Sequence, residues 1–205
     1  MIEKTIRSPN WNPRPNGLRD VYGVILHHTA TADGTAIGVA KYFANPAIDV
    51  AAHVVIDDNA STVDKIIVVH CVAPEKAAWQ AGMCRRYDWD RDGKLEDWEA
   101  HVNTHTLGIE LVNKGDGRDS FSNAQIKACA TIIRRWERIC PNLKLRNVTD
   151  HQTVNLNGKI DMRPNFPAAK LFWWILHPNT PLPDDGAYSH LPEWAKHQVN
   201  EIVRD

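Results

Sequence analysis

The sequence has no long apolar run. No stretch of its 205 residues approaches the roughly 20 consecutive apolar positions of a membrane-crossing helix, which excludes an integral membrane protein of the helical kind. Charge of one sign is missing too: 24 Lys and Arg face 25 Asp and Glu, the formal net charge is -1, and the isoelectric point lies near 6.8. A nucleic-acid partner is therefore not expected, because nothing supplies the broad basic surface that phosphate neutralisation needs. The opening MIEKTIRSPNWNPRP lacks the apolar core of a signal peptide, so the expectation is synthesis in the cytoplasm without an export address. Only four cysteines occur, Cys71, Cys84, Cys129 and Cys140. They are too few and too irregularly spaced for a disulfide scaffold or a paired C-x-x-C zinc knuckle, and they leave the redox state open. What is present is a 43% hydrophobic content, enough to bury one sizeable core, so one main domain with a small appendage is expected.

The pattern along the chain is α/β. Val21 to Leu26 is a short β-branched run that reads as a buried strand and leads directly into His27 and His28. Ile37, Ala40, Phe43 and Ala44 form one face of a short helix stopped at Asn45-Pro46. His53 to Ile56 and Lys65 to Cys71, split by the turn-rich DDNAST, predict a hairpin or meander. Thr106 to Val112 resumes strand character. Ser122 and Gln125 read as a capping box opening a helix with Ile126, Ala130, Ile133 and Cys140 on its apolar stripe, broadened by Ile132, Trp136 and Ile139. A strand over Leu145 to Val148 leads to His151, a Gly-containing loop to Asp161, and a helix from Ala168 to His177. The expected architecture is a central mixed β-sheet flanked by helices. Residues 1–177 would form the main domain, the Pro-rich 178–188 a linker, and 189–205 a helical tail with Leu191, Trp194, Ala195, Val199 and Ile202 as its apolar stripe.

A catalytic zinc takes three protein ligands and keeps a fourth position open. His27 at a strand end, His151 past another strand and Asp161 on the following loop are suitable donors, yet with ten histidines in the chain their spacing alone does not force convergence. Glu110 is a lone carboxylate inside the apolar run LGIELV, where burial without a partner is costly. Lys159 lies two residues before Asp161, in a loop where a lysine is ordinarily just solvated.

The ordered segments SPNWNPRP, VILHHTA, AAHVVIDD, APEKAAWQAG, LGIELVN and DHQTVNLNGKIDMRPNF, from residue 8 to about 176, resemble the superfamily shared by bacterial and phage N-acetylmuramoyl-L-alanine amidases and peptidoglycan recognition proteins. The resemblance implies hydrolysis of the bond between N-acetylmuramic acid and L-alanine in peptidoglycan by a zinc-activated water. It implies His27, His151 and Asp161 as zinc ligands, Glu110 as general base and Lys159 as the cation that steadies the oxyanion. Strand alternation turns His28 to the opposite face from His27, towards packing. His53 is similar to a family position that does not bind metal.

The sequence departs from the family pattern in three places. Ala52 stands where receptor-like and some phage members have tyrosine, a combination with Glu110 that resembles bacterial recycling and lipoprotein amidases. Gln80 replaces the histidine of an A-W-H-A-G string, which puts a substrate role for this position in doubt and leaves Trp79 as core or groove wall. Met162-Arg163-Pro164 replaces D-P-G behind Asp161. With no export address, the resemblance suits a phage endolysin acting on the cell wall or a cytoplasmic recycling enzyme, and the tail leans towards the lysin. A non-catalytic peptidoglycan-binding module is the alternative.

Separately, Asp88, Asp90, Asp92, Gly93 and Glu99 match positions 1, 3, 5, 6 and 12 of an EF-hand calcium loop, with the Lys94 carbonyl at position 7. This spacing predicts a structural calcium ion in an insertion over 88–99. A calcium-sensing module built on an inert scaffold is a weaker alternative, because one loop stands without a partner loop.

Overall fold

The β-branched runs build the sheet. The computed structural model describes residues 1–31, 34–156, 158–159, 161–162 and 165–203. Its strands are β1 (Ile2–Thr5), β2 (Trp11–Pro13), β3 (Gly23–His28), β4 (Val54–Ile56), β5 (Ile67–His70), β6 (Lys76–Ala78), β7 (Thr106–Leu111) and β8 (Val148–Asp150). Six of them make one mixed sheet in the order β1-β5-β4-β7-β3-β8, in which the expected β4–β5 meander is antiparallel and the other neighbours run parallel. β2 and β6 form a separate antiparallel pair. All six residues of β3 are buried, as suits a strand with neighbours on both sides and layers on both faces.

The helices are α1 (Ala36–Phe43), α2 (Val102–His105), α3 (Asn123–Ile139), α4 (His151–Val154), α5 (Ala168–Leu176) and α6 (Glu193–Ile202). α3 and α5 pack on the sheet through Ile126, Ile133, Leu171 and Phe172, with Val24, Leu26 and Ile109 beneath them in the main core. α1 closes a second cluster with Val55, Val69 and Val112. Thr35 and Ser122 cap α1 and α3, each side chain accepting a hydrogen bond from the backbone N–H three residues on, at 3.1 Å. Only the serine half of the expected capping box forms. Gln125 is fully buried and instead donates to the Val112 and Ile56 carbonyls at 2.8 and 3.3 Å, tying α3 to the ends of β7 and β4.

The strand expected over Leu145 to Val148 is displaced. Leu145–Asn147 makes one 3-10 turn and β8 begins at Val148. The buried Asn147 amide explains the turn, because it points inwards and donates to the Tyr22 and Trp89 carbonyls. The tail helix α6 lies in the main core: Ala195, Val199 and Ile202 are buried, Trp194 meets Phe172 edge-on, and Gln198 donates to the Val148 carbonyl at 3.4 Å. No helix among the described residues is long and apolar enough to cross a membrane.

Candidate metal centre

Parallel pairing of β3 with β7 sets the site. Its register places His27 beside Glu110 and Ile25 beside Gly108, so alternation puts all four on one face of the sheet. β8, on the other flank of β3, ends at Asp150, whose carboxylate caps α4 by accepting from Thr153 N–H at 2.9 Å. That turn brings His151 to the strand ends beside His27.

The three expected ligands meet. His27 Nδ1 lies 3.2 Å from both His151 Nδ1 and Asp161 Oδ2, and His151 Nδ1 lies 2.8 Å from the same carboxylate oxygen. Metal–ligand bonds of about 2.0–2.1 Å in a tetrahedron separate neighbouring donors by about 3.3 Å. Two imidazole nitrogens and one carboxylate oxygen at these spacings fit zinc in donor type and in size. The outer ring nitrogens are also held: His27 Nε2 faces Gln80 Oε1 at 3.2 Å and His151 Nε2 faces the Ala81 carbonyl at 3.1 Å. Met162, next to Asp161, is fully buried and holds a left-handed backbone with φ 72°, a conformation unusual for a side-chain-bearing residue and found at functional turns. Arg163 and Pro164 of the altered D-P-G segment lie outside the described residues.

The electrostatics follow from this crowding. Burial raises the Asp161 carboxyl, but hydrogen bonds from His151 and His27 outweigh it and hold the group well below the usual carboxylate range. Burial pushes the His27 imidazole down, opposed by the bond to Asp161. Burial, reinforced by the nearby charge of Asp161 and opposed by Lys159, pushes Glu110 up to about 8. Glu110, Lys159 and the three ligands share one cavity of about 680 Å³ whose outer wall includes Val39 and Tyr42 of α1.

His53 is no ligand. Its Nε2 donates to the Lys76 carbonyl and its Nδ1 accepts from Gly108 N–H, both at 2.9 Å; burial and Arg14 push its pKa down to about 3. His28 is buried and lines the cavity as well. The positions not foreseen are Ala81, Asn103 and Thr106. Gly108, a glycine inside an otherwise apolar strand run, was the signal, since such a residue marks a close approach.

The acidic loop is only partly assembled. Oxygens of Asp88, Asp90 and Glu99 lie within 4.8 Å of one another, and Gly93 takes a left-handed turn with φ 84°. Asp92 is not in that group: its Oδ1 accepts from Lys94 N–H at 2.8 Å and its Oδ2 lies 3.5 Å from Lys94 Nζ. Both Glu99 oxygens receive backbone N–H bonds, from Trp89 at 2.7 Å and Glu96 at 2.8 Å. The chain enters the loop from irregular backbone and leaves through a 3-10 turn over Asp97–Ala100 into the four-residue helix α2, so the helix that precedes an EF-hand loop does not accompany the pattern here.

A mixed α/β sheet with two histidines and one carboxylate gathered at its strand ends, in a group that could hold a metal ion, narrows the class to α/β folds with a candidate metal site. A family model described as N-acetylmuramoyl-L-alanine amidase matches residues 17–164. The chain belongs to that family. Among solved structures it is similar to AmpD, at 22% identity and TM-score 0.61, covering 82% of this chain and 92% of that one. It is similar to AmiD from E. coli, solved with anhydro-N-acetylmuramic acid-L-Ala-D-gamma-Glu-L-Lys, at 22% identity and TM-score 0.58, covering 80% and 60%. A mutant endolysin from Bacillus subtilis aligns at 22% identity and TM-score 0.50, covering 74% and 85%. These likenesses speak for the fold. No curated protein matches the sequence.

Proposed function

We propose that this chain hydrolyses the amide bond between N-acetylmuramic acid and L-alanine in peptidoglycan or its soluble fragments, with zinc held by His27, His151 and Asp161. The observation that carries this reading is the convergence of those three donor atoms, within 3.2 Å, on the floor of a cavity that also holds Glu110 and Lys159. A volume of about 680 Å³ suits a sugar–peptide junction. The compound named with AmiD belongs to that substrate class. Retention of Glu110 and Lys159 beside the full ligand set favours an enzyme over a peptidoglycan-binding module.

Zinc bound here supplies Lewis acidity towards a carbonyl oxygen and acidifies water to a pKa of about 7. Glu110, with a pKa near the working range, takes the proton of the attacking water and returns it to the leaving amine. Lys159, reaching from the exposed loop, bears the charge that develops on the carbonyl oxygen. Asp161 stays ionised, and Gln80 and Ala81 hold the two imidazoles in place. No covalent intermediate is needed: the four cysteines are buried, and burial pushes the thiols of Cys71, Cys84 and Cys140 up to about 12, 11 and 11.

We assign 1–177 to the catalytic unit, 178–188 to the connector and 189–205 to a docked tail, with wall lysis by a phage-type endolysin as the setting. Loop 88–99 takes calcium in this reading, with Asp88, Asp90 and Glu99 as its nucleus; Asp92 and the Lys94 carbonyl complete the shell. Its role is to brace the segment before β7. Mass analysis of products from purified peptidoglycan tests the main claim. Free stem peptide, lost on zinc chelation and regained on adding zinc, is the expected result. Binding to peptidoglycan without any peptide release refutes it.

A further inference from the structure

We infer that Gln80 is a positioning residue that fixes which nitrogen of His27 is offered to the metal, and that Gly108 exists to make room for it. The inference rests on the metal-centre reading above.

The hydrogen-bond chain can be followed from a group whose role is certain. The Val102 carbonyl can only accept, so the Thr106 hydroxyl, 2.7 Å away, must donate to it. That spends the only hydroxyl proton of Thr106 and leaves its oxygen as an acceptor. Gln80 Nε2 lies 3.0 Å from this oxygen and 3.4 Å from the Thr106 carbonyl. Both are acceptors, so the amide nitrogen of Gln80 belongs there and its Oε1 is turned to His27. Oε1 cannot donate, so His27 Nε2, at 3.2 Å, carries the proton. The lone pair of His27 is then on Nδ1, the atom that faces His151 and Asp161. Glutamine has a single fixed acceptor once its amide is anchored.

The backbone around Gln80 is clamped as well. Asn103 Oδ1 accepts from the N–H groups of both Gln80 and Ala81, at 3.2 and 2.9 Å. α2 therefore holds the two consecutive residues that face the outer nitrogens of both metal histidines. Gly108 provides the space. A Cβ built there would lie 1.5 Å from Gln80 Oε1 and 2.5 Å from its Cδ, which no packing permits. The obstructing atoms are the end of a flexible side chain, so Gly108→Ala would swing the Gln80 amide away from His27 with little demand on the strand.

Zinc affinity, measured by competition with a chromophoric chelator, and the exchangeable imidazole N–H protons of the zinc-loaded protein, seen by proton NMR, test this together. Parent protein should bind one zinc and show a protected His27 Nε2–H signal. Gln80→Met and Gly108→Ala should each weaken zinc binding about 10- to 100-fold and lose or move that signal, while the His151 signal stays. The double variant should be no weaker than either single one, because both changes remove the same contact. If Gln80→Met fails to fold, Gly108→Ala, which keeps Gln80 itself, carries the test. Parent protein that binds zinc while both variants match it within twofold, with the His27 signal unmoved, overturns the inference and leaves the metal centre standing. Losses that multiply in the double variant overturn it too. Parent protein that binds no zinc overturns the metal-centre reading and this inference with it.

Discussion

Replacing Glu110 by glutamine keeps the shape of the side chain and removes its ability to exchange a proton. Two consequences differ in origin and are measured separately. In the loaded enzyme, loss of a general acid–base group lowers kcat by about 10²- to 10⁴-fold, with zinc content unchanged because Glu110 is not a ligand. In the metal-free protein the effect is on stability. Burial and the neighbouring Asp161 raise the folded-state pKa from 4.5 to about 8. Below 4.5 the carboxyl is protonated whether the chain is folded or not, and it costs nothing. Between 4.5 and about 8 the unfolded chain ionises while the folded one keeps its proton, so stability falls as pH rises, and the loss levels off above 8. At 1.36 kcal/mol per pKa unit the ceiling is about 5 kcal/mol. Glutamine has no such dependence. Thermal melts of metal-free parent and Glu110→Gln should therefore coincide near pH 4 and separate in favour of the variant at pH 9. At about 2–4 °C per kcal/mol for a chain of this size, a third of the ceiling is a gap of about 5 °C. Equal melting temperatures at both pH values, together with activity within threefold of the parent, would refute the reasoning about this residue.

Lys159→Met removes an exposed cation and should leave the melting temperature unchanged, while steady-state kinetics show kcat reduced by about 10²- to 10³-fold with little change in KM. Ile202→Ala opens a hole under the docked tail, where Ile202 is fully buried; denaturant unfolding should show a loss of about 2–5 kcal/mol, and full zinc stoichiometry should persist at low temperature. Calcium should raise the melting temperature of the parent and alter Trp89 and Trp98 fluorescence, whereas Asp88→Ala with Asp90→Ala should respond to neither calcium nor a calcium chelator.

The parts of this fold that were legible are those where one residue pattern carries the information locally. β3 follows from the apolar run before His27, α1 from its apolar face and the Asn45-Pro46 stop, and the body of α3 from a continuous stripe. β1, β2 and β6 escaped because strands of three or four residues are too short to show a period, and β1, with its fully exposed IEKT, has no buried face to mark it either. Gln125 was misassigned because a capping glutamine and a buried cross-linking one have the same spacing from Ser122; only the position of β4 and β7 decides between them. The site divides in the same way. His27, His151, Asp161, Glu110 and Lys159 were singled out by the ordered family segments, but their meeting depends on the β3–β7 and β3–β8 registers, which no spacing in the chain encodes. The part played by Gln80 depends on a glycine 28 positions away, and in the sequence it looks like any other loop glutamine.

The claim at the centre of this account is that His27, His151 and Asp161 hold one zinc ion between them. Anomalous diffraction at the zinc absorption edge, on crystals of protein loaded with a single equivalent of zinc, tests it most directly. A single strong peak about 2.0–2.2 Å from His27 Nδ1, His151 Nδ1 and an Asp161 oxygen is the predicted result. Zinc found elsewhere on the molecule, with these three side chains left bonded only to one another, would contradict it.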